Sequence, residues 1–155
     1  MSSKLLLRIA AGLTFLHALS HTWGVFSIDA GATPEDAAVL NAMKSHHFEV
    51  MGWQRSFWDF FLGFGLAVTV FLLLLSVLLW QIGTLTTVRP RLAQPMIAAS
   101  FVAWAGLAIL DWCLFFPAPL VASILLTLLI GAAWIANRKA KLSDIASTNL
   151  TQAVG

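Results

Sequence analysis

The stretch that decides the fold is Arg55–Gly83, RSFWDFFLGFGLAVTVFLLLLSVLLWQIG, an apolar run that carries charge only at its start, on Arg55 and Asp59. Within the run, the 24 residues after Asp59 carry no formal charge. Roughly 20 suffice to cross a hydrocarbon core about 30 Å thick, so the run reads as a transmembrane helix. The composition agrees. The 155 residues are 59% hydrophobic and 10% charged, with a mean hydropathy of +0.86, which suits lipid rather than water as the solvent. A length of 155 residues leaves room for one integral membrane domain. Nine basic residues flanking apolar segments argue for membrane topology and against nucleic acid as a partner. A single cysteine, Cys113, excludes an intrachain disulfide or a CxxC redox centre.

Outward from that run, three further apolar segments appear. Residues 5–26 follow Lys4, carry Arg8 near their start, and contain His17 and His21, which a signal peptide's apolar region has no use for. The segment is therefore read as a retained first helix, although Ala30-Gly31-Ala32 resembles a cleavage site. The central span covers 56–83. TTVRPRLAQP then makes a basic connection, a third span covers 96–116, and Pro117-Ala118-Pro119 turns the chain into a fourth over 120–136. Between the first two spans lies the one extended polar stretch, residues 27–54. In it Thr33-Pro34-Glu35-Asp36 has the form of a helix start, with the helix expected to continue through AAVLNAMKSHHF along the membrane surface. The expected fold is an all-α four-transmembrane-helix bundle with a short amphipathic helix in the first outer loop.

Charge orients it. With four spans, Lys4, Arg8, Arg89, Arg91, Arg138, Lys139 and Lys141 share one side against Lys44 and Arg55 on the other. That imbalance places both termini in the cytoplasm, in a cell inner membrane if the source is bacterial. Trp23, Trp53, Trp58 and Trp112 then fall near the outer interface and Trp80 and Trp134 near the inner one, with Trp104 the exception. Ala99-x-x-x-Ala103, Ala132-x-x-x-Ala136, Gly63 and Gly65 are small residues suited to close helix packing.

On this topology all four histidines and six of seven acids lie on the outer side. His21, Asp59 and Asp111 each sit about six residues inside a span. At about 1.5 Å of rise per residue that is roughly 9 Å below the rim, with His17 one turn deeper. A carboxylate facing lipid there costs roughly 2.5–3.5 kcal/mol, so Asp59 and Asp111 should face the interior. Arg55, four residues before Asp59, is its nearest local partner, and His21 or His17 the natural partner of Asp111. The candidate pocket is thus His17, His21, Arg55, Asp59 and Asp111, with His46, His47 or Glu49 as contributions from the loop. His17 and His21 are spaced as two metal ligands on one helix face would be. Without H-E-x-x-H or a third ligand the pair does not define a metal site, and no cofactor is assigned.

LxxLHALSHTWGVF in the first helix followed by MGWQRSFWDFFLGFGL opening the second resembles an uncharacterised family of small bacterial four-helix membrane proteins over most of residues 5–83. The helix count and size are also similar to the DoxX-like group. The resemblance implies architecture and no activity. Three functions stay open from the residues: binding or acting on a lipid-soluble or amphipathic small molecule, a non-catalytic accessory or structural subunit, and a metal-binding or electron-transfer module. The partners to expect are membrane lipid, a lipid-soluble ligand, and further copies of the chain or a larger membrane complex.

Overall fold

In the computed structural model, residues 1–28 and 33–154 are described, with side chains of the last helix described as far as Lys139. Asp29 and the Ala30-Gly31-Ala32 triplet lie outside the described residues, as do the side chains of Lys141 and Asp144. The order of elements is α1 (Ser3–Phe26), α2 (Pro34–Ser45), β1 (His47–Val50), β2 (Trp53–Ser56), α3 (Phe57–Val88), α4 (Pro90–Leu114) and α5 (Pro117–Val154). Among the described residues four helices are long and apolar enough to cross a membrane: α1, α3, α4 and the Pro117–Lys139 part of α5. The protein is an all-α, multi-pass membrane protein.

The spans are longer than the prolines suggested. Pro90 opens α4 instead of sitting in a loop, because the first helical position needs neither a free φ nor an N–H. The whole connection between α3 and α4 shrinks to Arg89. Pro95 lies inside α4, where its missing N–H costs one bond to the preceding turn. At the far end, Phe115 and Phe116 make the break, and Pro117 and Pro119 fall in the first turn of α5, where backbone N–H groups have no helical partner anyway. The residues after Ala136 continue the same helix to Val154.

The polar stretch also differs from its expected form. Thr33 caps α2 as expected: its side chain accepts from the Asp36 N–H at 3.2 Å, and Asp36 accepts from the Thr33 N–H at 3.1 Å. The helix stops at Ser45, however, because His46 turns extended, and His47–Val50 pairs antiparallel with Trp53–Ser56. Met51 and Gly52 join the strands with φ of 52° and 83°. Two consecutive positive φ values give the tight turn whose twist matches a hairpin. The helix expected to reach Phe48 therefore ends at Ser45, and His47–Ser56 forms strand, turn and strand.

The chain divides into two compact units. In the first, residues 1–15 and 74–155, the four helical segments bury Leu7, Ala10, Leu79, Ile97, Trp104, Leu126, Ile130 and Ala133 almost completely. In α4 the buried positions 93, 97, 104 and 111 share one face, as do 123, 126, 130, 133 and 137 in α5. Trp104, which fits neither interfacial belt, is a core residue here, whereas Trp80 and Trp112 are exposed. The outward faces remain apolar, with Val77, Val102, Ile109, Val121 and Leu128 all more than half exposed, as lipid-facing helices require. Of the small-residue pairs, Ala99, Ala103 and Ala132 are exposed, and Asn137 makes a polar contact from α5 to α4. The Asn137 Nδ2 group donates to the Pro90 carbonyl at 3.0 Å and to Gln94 Oε1 at 2.6 Å.

The second unit, residues 16–73, holds the rest of α1, α2, the hairpin and the first half of α3. Aromatic rings knit the hairpin to α3: Phe48 lies 4.8 Å from Phe57 and 5.9 Å from Phe60, and His46 stacks at 6.2 Å on both Phe48 and Phe57.

Candidate functional site

Asp59 and Arg55 are where the local structure departs most from expectation. Arg55 belongs to β2 and Asp59 to the first turn of α3, so they do not share a helix face. Ser56 is the residue that matters to Asp59. The Ser56 N–H donates to Asp59 Oδ2 at 2.8 Å, the Ser56 hydroxyl donates to the same oxygen at 3.0 Å, and the Asp59 N–H donates back to Ser56 Oγ at 3.2 Å. This is a reciprocal capping box, and S-x-x-D before an apolar run is its sequence signature. Asp59 is exposed at the helix mouth and does not sit six residues inside a span. Arg55 extends over the Trp53 ring at 5.2 Å and donates to the Gln54 carbonyl at 2.7 Å.

The histidines of α1 are half-buried. His21 Nε2 lies 3.0 Å from the Gly65 carbonyl oxygen of α3. A carbonyl only accepts, so Nε2 carries the proton, and in the neutral ring Nδ1 is left as the acceptor. Beside it, Thr22 Oγ1 lies 2.8 Å from the Ala18 carbonyl and 3.0 Å from Thr69 Oγ1. Each hydroxyl has one hydrogen, so the shortest pattern has Thr22 donating to Ala18 and Thr69 donating to Thr22. The helices come close here because residue 65 is glycine: a Cβ on it would meet Val25 Cγ2 at 2.8 Å. Gly63, by contrast, faces open space. His17 stands one turn before His21 on the same helix face.

Asp111, in the first unit, is buried three residues before the end of α4. The Ser123 hydroxyl of α5, itself 1% exposed, donates to Asp111 Oδ2 at 2.5 Å. The phenylalanine pair between the helices is short enough to bring back a residue twelve positions later. Ser123 was the missing partner. LVASILLTLL holds two hydroxyls, Ser123 and Thr127; Thr127 donates to the Ser123 carbonyl one turn back at 2.7 Å, and Ser123 is the one that reaches across to another helix.

The loop candidates stay on the surface. His46, His47 and Glu49 are exposed, and His47 Nδ1 lies 2.9 Å from the Ser45 carbonyl. Among the described residues no three His, Cys, Asp or Glu side chains lie close enough together to hold a metal ion. What the arrangement can do chemically is limited to two places. Asp111 and Ser123 offer a buried acid with a hydroxyl, and His21 offers a ring anchored through one nitrogen. No family model matches the chain, and no curated protein or solved structure is found to be similar to it.

Proposed function

We propose that this multi-pass protein lies in a bacterial inner membrane with both termini cytoplasmic and binds a lipid-soluble or amphipathic small molecule drawn from the outer leaflet, with Asp111 orienting it. The observation that carries this reading is the burial of the Asp111 carboxylate between α4 and α5 with the Ser123 hydroxyl on Oδ2. An ionisable group inside a membrane domain costs free energy to place there, and such groups mark ligand and proton pathways far more often than those of a soluble core. Within the second unit His17 and His21 are the candidates for handling protons, and Asp59 serves as a helix cap.

Mass spectrometry of the apolar molecules extracted from purified protein tests the reading. Wild type carries a molecule at near-stoichiometric amount, which Asp111→Asn loses; identical extracts from the two proteins would sink it. The topology is tested separately. In a Cys113→Ser background, a membrane-impermeant maleimide applied to intact cells labels Glu49→Cys and leaves Ser2→Cys unlabelled.

A second reading, a non-catalytic membrane subunit, is favoured by the bonds of Asp59 and His21, each of which holds backbone rather than facing a cavity. It predicts that Asp111→Leu combined with Ser123→Ala spares the protein's function and its co-purifying partners. The ligand reading predicts loss of function.

A further inference from the structure

We infer that the groove between α1 and α3 in the first unit is a binding site for one anionic phospholipid, from the leaflet that surrounds the N-terminal end of α1, with Arg8 holding the phosphate. The groove is about 370 Å³ and is lined by Ala11, Gly12, Phe15, Ser76, Val77, Trp80 and Gln81. That volume lies in the range of small-molecule sites, well beyond a trapped water. The one hydroxyl in the wall, Ser76, is already committed, donating to the Ala11 carbonyl at 2.9 Å. What remains facing the groove is chiefly methylene, aromatic ring and the open backbone of Gly12, which suits an acyl chain.

The polar end of the groove supplies the head-group contact. Lys4, Arg8 and Gly12 follow one another at four-residue intervals, so they line one face of α1, with the bases at the end nearer water. The Arg8 guanidinium lies 4.5 Å from the centre of the Trp80 ring, at the groove wall, and its Nε is buried without a hydrogen-bond partner. A buried N–H of a charged group left without an acceptor is costly, and a phosphate oxygen is the acceptor that a planar guanidinium matches best. The side chain starts about five residues inside the helix, and its methylenes pass Gly83 before the guanidinium meets Trp80. Charge complementarity therefore selects an anionic lipid, and the apolar wall below selects its chain. This site is separate from the one around Asp111 and does not rest on the reading of that site.

Native mass spectrometry of the full chain released from mixed micelles with equal phosphatidylglycerol and phosphatidylcholine tests the inference. Wild type retains one phosphatidylglycerol in preference to phosphatidylcholine. Arg8→Gln loses the preference at least fivefold. Arg138→Gln, which removes a guanidinium stacked in the same manner on Trp134 at 5.3 Å, keeps it. A Cβ at Gly12 meets nothing within 4 Å, so Gly12→Leu adds a side chain to the groove wall and lowers retention of either lipid. If circular dichroism shows that this variant has not folded, Val77→Trp fills the groove from the exposed opposite wall and gives the same reading. Equal retention of the two lipids by wild type, or wild-type retention in both Arg8→Gln and the groove-filling variant, overturns the inference. So does displacement of the lipid by millimolar inorganic phosphate, which would assign the site to a free anion.

Discussion

The two carboxylates Asp59 and Asp111 look alike in the chain, since both open or close a long apolar helix, and the structure puts them to opposite uses. Asp59 lies at the start of α3, exposed, with its oxygen turned back on the Ser56 N–H and hydroxyl. Asp111 lies at the end of α4, where no N–H groups wait for an acceptor, and it is buried against a hydroxyl from the next helix. The polarity of the helix explains the difference. Free N–H groups and the positive end of the dipole collect at the start, so an acid there is satisfied locally. At the C-terminal end free carbonyls and the negative end collect, so an acid must look elsewhere for a partner.

The largest effect should come from breaking the buried pair. Ser123→Ala leaves the Asp111 carboxylate without its donor and should cost about 1.5 kcal/mol, where the range for hydrogen bonds to charged groups meets the upper range for bonds between membrane helices. Asp111→Asn, which keeps an acceptor oxygen, should cost less. Unfolding of the purified protein by titration with sodium dodecyl sulfate measures both, and equal stability of wild type and Ser123→Ala would remove the contrast between the two acids. Next in size is Ser56→Ala, expected to cost about 1 kcal/mol as the loss of an N-cap. The same titration should show Asp59→Asn milder than Asp59→Ala, because asparagine still accepts.

The smallest effect sharpens the local side of the comparison. Asp36 in α2 repeats the Asp59 arrangement in water, and the Thr33 hydroxyl and N–H hold its carboxyl below the ordinary carboxylate range. A group whose value is lowered by folding stabilises the fold above its unfolded value, and that contribution fades as pH falls through the lowered one. Hydrogen exchange of the α2 amides should therefore quicken between neutral and acidic pH, after allowing for intrinsic exchange, and Asp36→Ala should remove the dependence.

Span number and class were legible because an apolar run of more than twenty residues has one stable form in lipid, with every backbone group bonded within its own helix. Ends were less so. Pro90, Pro95 and Pro117 read as breaks, yet proline is tolerated wherever its missing N–H has no partner to lose, and two of these three stand at first helical positions. Ser56 was legible through its spacing to Asp59, but counting depth from the apolar run hid the cap. The hairpin at 47–56 was hidden by a turn, Met51-Gly52, whose first residue carries no preference for positive φ. The partners of Asp111 and His21 are set by which residues face each other across two helices, Ser123 and Gly65, and spacing along one helix says nothing about that.

At 32 residues, α3 is about 48 Å long, whereas α1 with 24 and α4 with 25 are about 36 Å and 38 Å. Only the first of these overshoots a 30 Å hydrocarbon layer by several turns. Its final turns carry their own provision for this: Thr86 donates to the Gly83 carbonyl at 2.7 Å and Thr87 to the Thr84 carbonyl at 2.8 Å, so these hydroxyls need no outside acceptor. A bilayer that thickens by a few ångströms would simply cover more of this helix, while the shorter spans have little more than one turn to spare. Changes in membrane thickness would thus reach the protein as unequal demands on neighbouring helices.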